Sequence, residues 1–184
     1  ASKDILHYLF DKGKVDLDTF RIRTEHIIGW WLSRNCPLES LKIIVAHEKE
    51  KLGPGNSGHS PLLESYFLAN PGDFATLFEY RSLQHLVFVY ENLRSDIWNG
   101  LWEQAKGSYC FSDTARNKLI SACSAHDENA IQKLVGMGMD MNAFDPKFPF
   151  YSPLYALLQD YKRHLPLIRR VLEMGVDPET PYSE

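Results

Sequence analysis

An all-α solenoid of helical repeats is the fold class this sequence predicts, and three observations carry it. A large apolar residue followed, after two residues, by an apolar pair occurs six times: Leu6…Leu9-Phe10, Leu41…Ile44-Val45, Phe74…Leu77-Phe78, Trp98…Leu101-Trp102, Ile131…Leu134-Val135 and Ile168…Val171-Leu172. The leading residues are spaced 35, 33, 24, 33 and 37 apart, the recurrence expected of stacked repeats. Within each copy the i, i+3, i+4 spacing lines one face of a helix.

Taken in order, the copies predict one continuous domain with repeats over residues 1–22 (partial), 23–58, 59–81, 82–115, 116–150 and 151–184. Leu6, Leu9, Phe10 and Gly13 read as the second helix of a repeat whose first half is missing. The second repeat carries Trp30-Trp31 in its first helix and the Leu41 stripe in its second. Ser60-Pro61-Leu62-Leu63 starts the third, with serine placed to cap a helix and proline suited to its first position. In the fourth, Leu83–Tyr90 is apolar and β-branched enough for a buried strand, and only its place in the repeat favours helix. A connection over Lys106–Ser112 then precedes a helix that Ser112 or Asp113 could cap. The fifth is the clearest copy: Leu119, Ala122 and Cys123 share one helix face, Ala125–Asn129 forms a polar turn, and Ile131, Leu134 and Val135 form the second face. Gly138 follows, where a left-handed terminus favours glycine. Ser152-Pro153-Leu154 opens the last copy. Helix pairs this short bury their apolar faces only by stacking on neighbours.

The fifth copy resembles an ankyrin repeat: Leu119, Ala122, Ile131, Leu134, Val135, Gly138, Asp140, Asn142 and Ala143 occupy the family's pattern without a gap, and Ser152 through Pro178 is similar. The resemblance implies an ankyrin-type solenoid of about five helix pairs preceded by a half repeat. Its departures are specific. No intact Thr-Pro-Leu-His start occurs, two copies (near Glu25 and Ser152) need about two extra residues between their helices, and the 24-residue step after Phe74 leaves no room for the inter-repeat finger. Helix is therefore expected to follow helix directly after Arg81.

Hydrophobic content of 44% with 24% charged residues is that of a folded globular chain. A net charge of −4, with Lys162-Arg163 and Arg169-Arg170 as the densest basic cluster, argues against nucleic acid. Three cysteines (Cys36, Cys110, Cys123) without framework spacing suit a reducing, cytoplasmic compartment. No apolar run is long enough to span a bilayer. The chain opens without Met, almost inside a helix, which points to a domain excised from a longer protein.

Catalytic and metal-binding patterns are weak. Gly53-Pro-Gly55-Asn-Ser-Gly58 matches a dinucleotide fingerprint in letters, but the charged helix end Glu48–Leu52 stands where a strand is needed, and Pro54 removes a backbone N–H. Cys123-x2-His126 with Cys110 is a fragment of a zinc pattern, more simply a buried thiol on a repeat helix. His47-Glu48 lacks the second histidine of a metalloprotease helix, and no nucleophile elbow is present. The seven histidines are scattered and suit surface or turn positions. Trp98 and Trp102 are core positions. No catalytic residue, metal ligand or cofactor is assigned.

Binding signals are stronger. Phe144-Asp-Pro-Lys147-Phe148-Pro-Phe150-Tyr151 alternates aromatics with prolines where a finger needs polar turn residues. Phe144 and Tyr151 are expected to fold back, which leaves Phe148 or Phe150 as an anchor. Adjacent helix residues point about 100° apart, so one of Trp30 and Trp31 is open to a partner. The expected function is a monomeric protein-interaction module, using Phe148, Phe150, Lys147 and Gln159 near one end and Trp30 or Trp31 near the other. The alternative is a substrate-recruiting domain of a larger enzyme or secreted effector. A helical enzyme with a dispersed site is a distant third, requiring a polar pocket around a strongly shifted titratable group.

Overall fold

A computed structural model describes residues 28–29, 37–53, 58–143 and 152–178. Among them are nine helices and no strand: α1 (Leu38–Leu52), α2 (Pro61–Ala69), α3 (Gly72–Tyr80), α4 (Leu83–Asn92), α5 (Ser95–Ala105), α6 (Tyr109–Ser124), α7 (Glu128–Gly136), α8 (Pro153–Leu158) and α9 (Leu165–Glu173). The described protein is all-α, and the chain divides into two compact units, Ala1–Ala105 and Lys106–Glu184.

In the first unit, α1 follows Pro37, whose extended backbone (ψ 141°) sets the entry to the helix. Glu39 in its first turn and Lys49 and Lys51 in its last complement the helix dipole. Leu41, Ile44, Val45 and Glu48 form its buried stripe. Ser60 caps α2 as its sequence predicts, its Oγ accepting from the Leu63 amide at 3.2 Å, with Pro61 at the first position. Helix follows helix after the buried Arg81, and Leu83–Asn92 is a helix with Leu86 and Val89 on its buried side.

Helix α5 packs against α2 and α3, and α3 against α4. The joint is aromatic. Phe74 and Trp98 meet edge to face with ring centres 4.9 Å apart, Tyr90 meets Trp98 at 4.9 Å, and Phe67 meets Phe74 at 6.2 Å. Such pairs add roughly 0.5–1.5 kcal/mol each beyond their area burial. Trp98 is core as expected; Trp102 is only half-buried, its ring 5.6 Å from that of Phe78.

A polar seam crosses this unit. Glu48 is buried, and its carboxylate accepts from Ser60 Oγ and from the Leu62 amide at 2.7 Å, at the head of α2. The Ser60 amide donates to the Asn92 carbonyl at 2.8 Å, and Lys49 Nζ donates to Asn92 Oδ1 at 2.6 Å. Glu48 is thus not a solvated residue of a charged helix end. It is the i+7 member of the α1 stripe, held by donors from the next helix.

In the second unit, α6 begins at Tyr109, earlier than expected, and neither Ser112 nor Asp113 caps it. The extra turn buries Phe111; Ser112 Oγ donates back to the Lys106 carbonyl at 2.9 Å, and Asp113 pairs with Arg116 inside the helix. Asp127 caps α7 through a 3.0 Å bond from the Ala130 amide. Beyond α7, Gly138 at φ 105° lets its own amide reach the Val135 carbonyl (2.9 Å) and the Met139 amide reach that of Leu134 (3.2 Å). Those two bonds satisfy carbonyls that a helix end leaves open. Ser152 caps α8 through the Tyr155 amide at 3.2 Å, and Gly175 at φ 91° repeats the Gly138 exit after α9. Helix α6 packs against α7 and along α8.

Candidate interaction surface

Of the residues the sequence marks for partner binding, Phe148, Phe150, Lys147, Trp30 and Trp31 lie outside the described residues. Gln159 is described and exposed, immediately after α8. Its surroundings are set by the shortness of that helix. Six residues allow one buried side, made of Pro153, Leu154, Ala156 and Leu157, and they leave Tyr155 and Leu158 facing out.

The turn beyond Gln159 is held locally. Arg163 pairs with Asp160 at 3.7 Å, and Lys162 Nζ stands 6.0 Å from the Tyr161 ring centre. Tyr161 itself is half exposed. Nine large apolar residues are exposed among the described residues, and six of them, Tyr155, Leu158, Tyr161, Leu165, Leu172 and Met174, lie between positions 155 and 174. Isolated exposed apolar side chains are ordinary, and six within twenty residues of sequence are a local concentration. Lys162, Arg163, Arg169 and Arg170, with Asp160 and Glu173, fall in the same stretch of sequence.

Four contacts fix this end to the preceding pair. Arg170 of α9 pairs with Glu128 of α7. The Asp177 amide donates to Asn142 Oδ1 at 2.9 Å. The His164 and His126 rings stack at 3.8 Å with 16° between planes, and His126 Nε2 lies 3.1 Å from the Leu157 carbonyl. A carbonyl only accepts, so His126 carries its proton on Nε2. This histidine pair is missed when the seven histidines are read as unrelated surface residues. Its signal lies in the register, since His126 and His164 each precede the second helix of successive pairs.

A helix leads into Gly53, at φ 76°, and Gly58 lies at φ 82°; residues 54–57 lie outside the described residues. Cys123 is a buried thiol, and burial pushes its pKa up to about 12, whereas Cys110 is exposed. Burial and the neighbouring Asp73, which accepts from the Tyr66 hydroxyl, both raise the Tyr66 pKa. Ser82 Oγ and His85 Nδ1 lie 2.7 Å apart at the head of α4, a contact that an i, i+3 spacing makes locally. Burial first, then Arg81 and Lys42, lower the His85 pKa. Among the described residues no group of three or more His, Cys, Asp or Glu side chains could hold a metal ion, and no helix is long and apolar enough to cross a membrane.

Comparison of the chain with protein-family models, with curated proteins and with solved structures returns no match.

Proposed function

We propose that this chain is a protein-interaction module built from divergent ankyrin-type repeats, which holds a partner protein on a preorganised helical surface in a reducing compartment. The observation that carries it is the exposure of Gln159 and Tyr161 in the turn between α8 and α9, apart from the sides of those helices that are already buried. Support for the repeat type comes from the Ser-Pro-Leu starts at Ser60 and Ser152 and from the matching glycine exits at Gly138 and Gly175. A surface held by caps and packing loses little conformational entropy on docking. Tyr161 and Gln159 are the proposed contacts within the described residues, and Phe148 and Phe150, which precede α8 in sequence, are the further ones. As part of a longer protein, the same surface would recruit a substrate.

The test is affinity capture from cell lysate with three baits: the wild-type chain, a Tyr161→Ala/Gln159→Ala variant and a Phe148→Ala/Phe150→Ala variant. A protein retained by wild type and lost by a variant of unchanged thermal stability supports the proposal. Identical retention by all three folded baits refutes this surface.

A further inference from the structure

The second unit holds two successive helix pairs, and their burial differs at matched positions. An offset of 35 places Leu119 on Leu154, and an offset of 37 places Ile131 on Ile168 and Gly138 on Gly175. Leu119 and Leu154, Ala122 and Leu157, Ile131 and Ile168, and Leu134 and Val171 are buried in both pairs. Three matched positions break the rule. Ile120, Cys123 and Met137 are 5%, 0% and 2% exposed, whereas Tyr155, Leu158 and Met174 are 41%, 42% and 42% exposed. All six side chains are apolar, so the residue type is retained and the covering is not.

The direction of the uncovered side follows from α9. Arg170 reaches back to Glu128 of α7 and so marks the flank turned toward the preceding pair. Leu165 and Leu172 lie about 140–160° around the helix from Arg170, on the opposite flank. The chain also leaves α9 as it leaves α7: Gly175 repeats Gly138, and Asp177 stands where Asp140, whose Oδ1 accepts from the Asn142 amide at 2.8 Å, starts the turn toward the next pair. A repeat that ends an array normally carries a polar outer face. This one is apolar, with Arg169 beside Leu165 and Leu172 as Arg170 stands beside the interface already formed.

We infer that the outer face made by Tyr155, Leu158, Leu165 and Leu172 seats one further helix pair of the same repeat type, joined through the turn that starts at Asp177. The incoming pair presents an apolar first helix, as α8 does to α6, and a carboxylate to Arg169, as α7 presents Glu128 to Arg170. This inference rests on the stacked-repeat part of the proposed function.

The experiment uses the full chain in a Cys36→Ser/Cys110→Ser background, with Leu158→Cys added, and follows maleimide labelling. It compares this chain with one extended after Glu184 by a duplicate of residues 148–178. That junction sets the duplicate's Ser-Pro start fourteen residues after Gly175, as Ser152 stands fourteen after Gly138. The thiol at position 158 is expected to label rapidly in the unextended chain and at least tenfold more slowly in the extended one. Slow labelling in the unextended chain at every concentration means that the chain already covers this face, and it overturns the inference. Protection that grows with concentration makes a second copy the occupant and overturns it equally. Rapid labelling in the extended chain shows that the pair does not seat, which also overturns it. Native Cys123, the matched position one repeat earlier, is the internal control: if it labels as fast as position 158, the stacked-repeat reading itself fails.

Discussion

Replacing Glu48 by alanine removes the acceptor of two buried donors, the Ser60 hydroxyl and the Leu62 amide. Hydrogen bonds to a charged group contribute about 1.5–3 kcal/mol each, and a buried donor left without its acceptor costs about 1–3 kcal/mol. Removing the carboxylate also relieves its own desolvation, which offsets part of this. The net expectation for Glu48→Ala is a loss of about 3 kcal/mol; with an m-value of about 2 kcal/mol/M, the urea midpoint falls by about 1.5 M. Glu48→Gln keeps an acceptor for the Leu62 amide and should fall within about 1 kcal/mol of wild type at neutral pH. The pH dependence separates the two contributions to the carboxylate. Burial raises the Glu48 pKa above its ordinary value, against the lowering effect of Ser60 and Leu62. The folded state therefore holds the proton more tightly than the unfolded state. The stability this contributes is complete below the ordinary glutamate range and is lost as pH rises through the raised folded value. Urea titrations from pH 4 to 8 should show wild type losing stability relative to Glu48→Gln as pH rises. A wild type that gains on the glutamine variant with rising pH would refute the reasoning, because the head of α2 would then outweigh burial.

Four further expectations can be checked by thermal or urea unfolding. Gly138→Ala forces an L side chain to φ 105° and should cost about 1–2 kcal/mol. Gly136→Ala, within α7 and with open space around the added methyl group, should instead stabilise by about 0.4–1 kcal/mol. Trp98→Ala empties the centre of the aromatic joint between α3, α4 and α5 and should cost about 3–5 kcal/mol, with Trp98→Phe losing clearly less. His126→Gly should be more stable than His126→Ala by about 1 kcal/mol, since both lose the bond to Leu157 but only glycine accepts φ 51° without strain.

The features legible in the chain are those whose cause is local. Ser60-Pro61 and Ser152-Pro153 start helices because serine oxygen reaches an amide three residues on, and Gly138 ends one because the positive φ there excludes side chains. The start of α6 is not legible in this way, because Phe111 is buried by tertiary packing that no cap residue announces. Pattern alone leaves Leu83–Tyr90 open between helix and strand, since a short apolar run suits either; in the fold, its place beside α3 buries Leu86 and Val89 one turn apart.

By itself, the sequence determined the amphipathic helices of the described residues, because period, caps and glycine exits act within one turn. Only the tertiary structure decided which equivalent side chains are covered. Glu48 has the composition of a surface residue and is buried because Ser60 and Leu62 arrive from another helix. Tyr155 and Leu158 have the composition of core residues and are exposed. Burial depends on what packs against a side chain, and for Glu48 that neighbour is the head of α2.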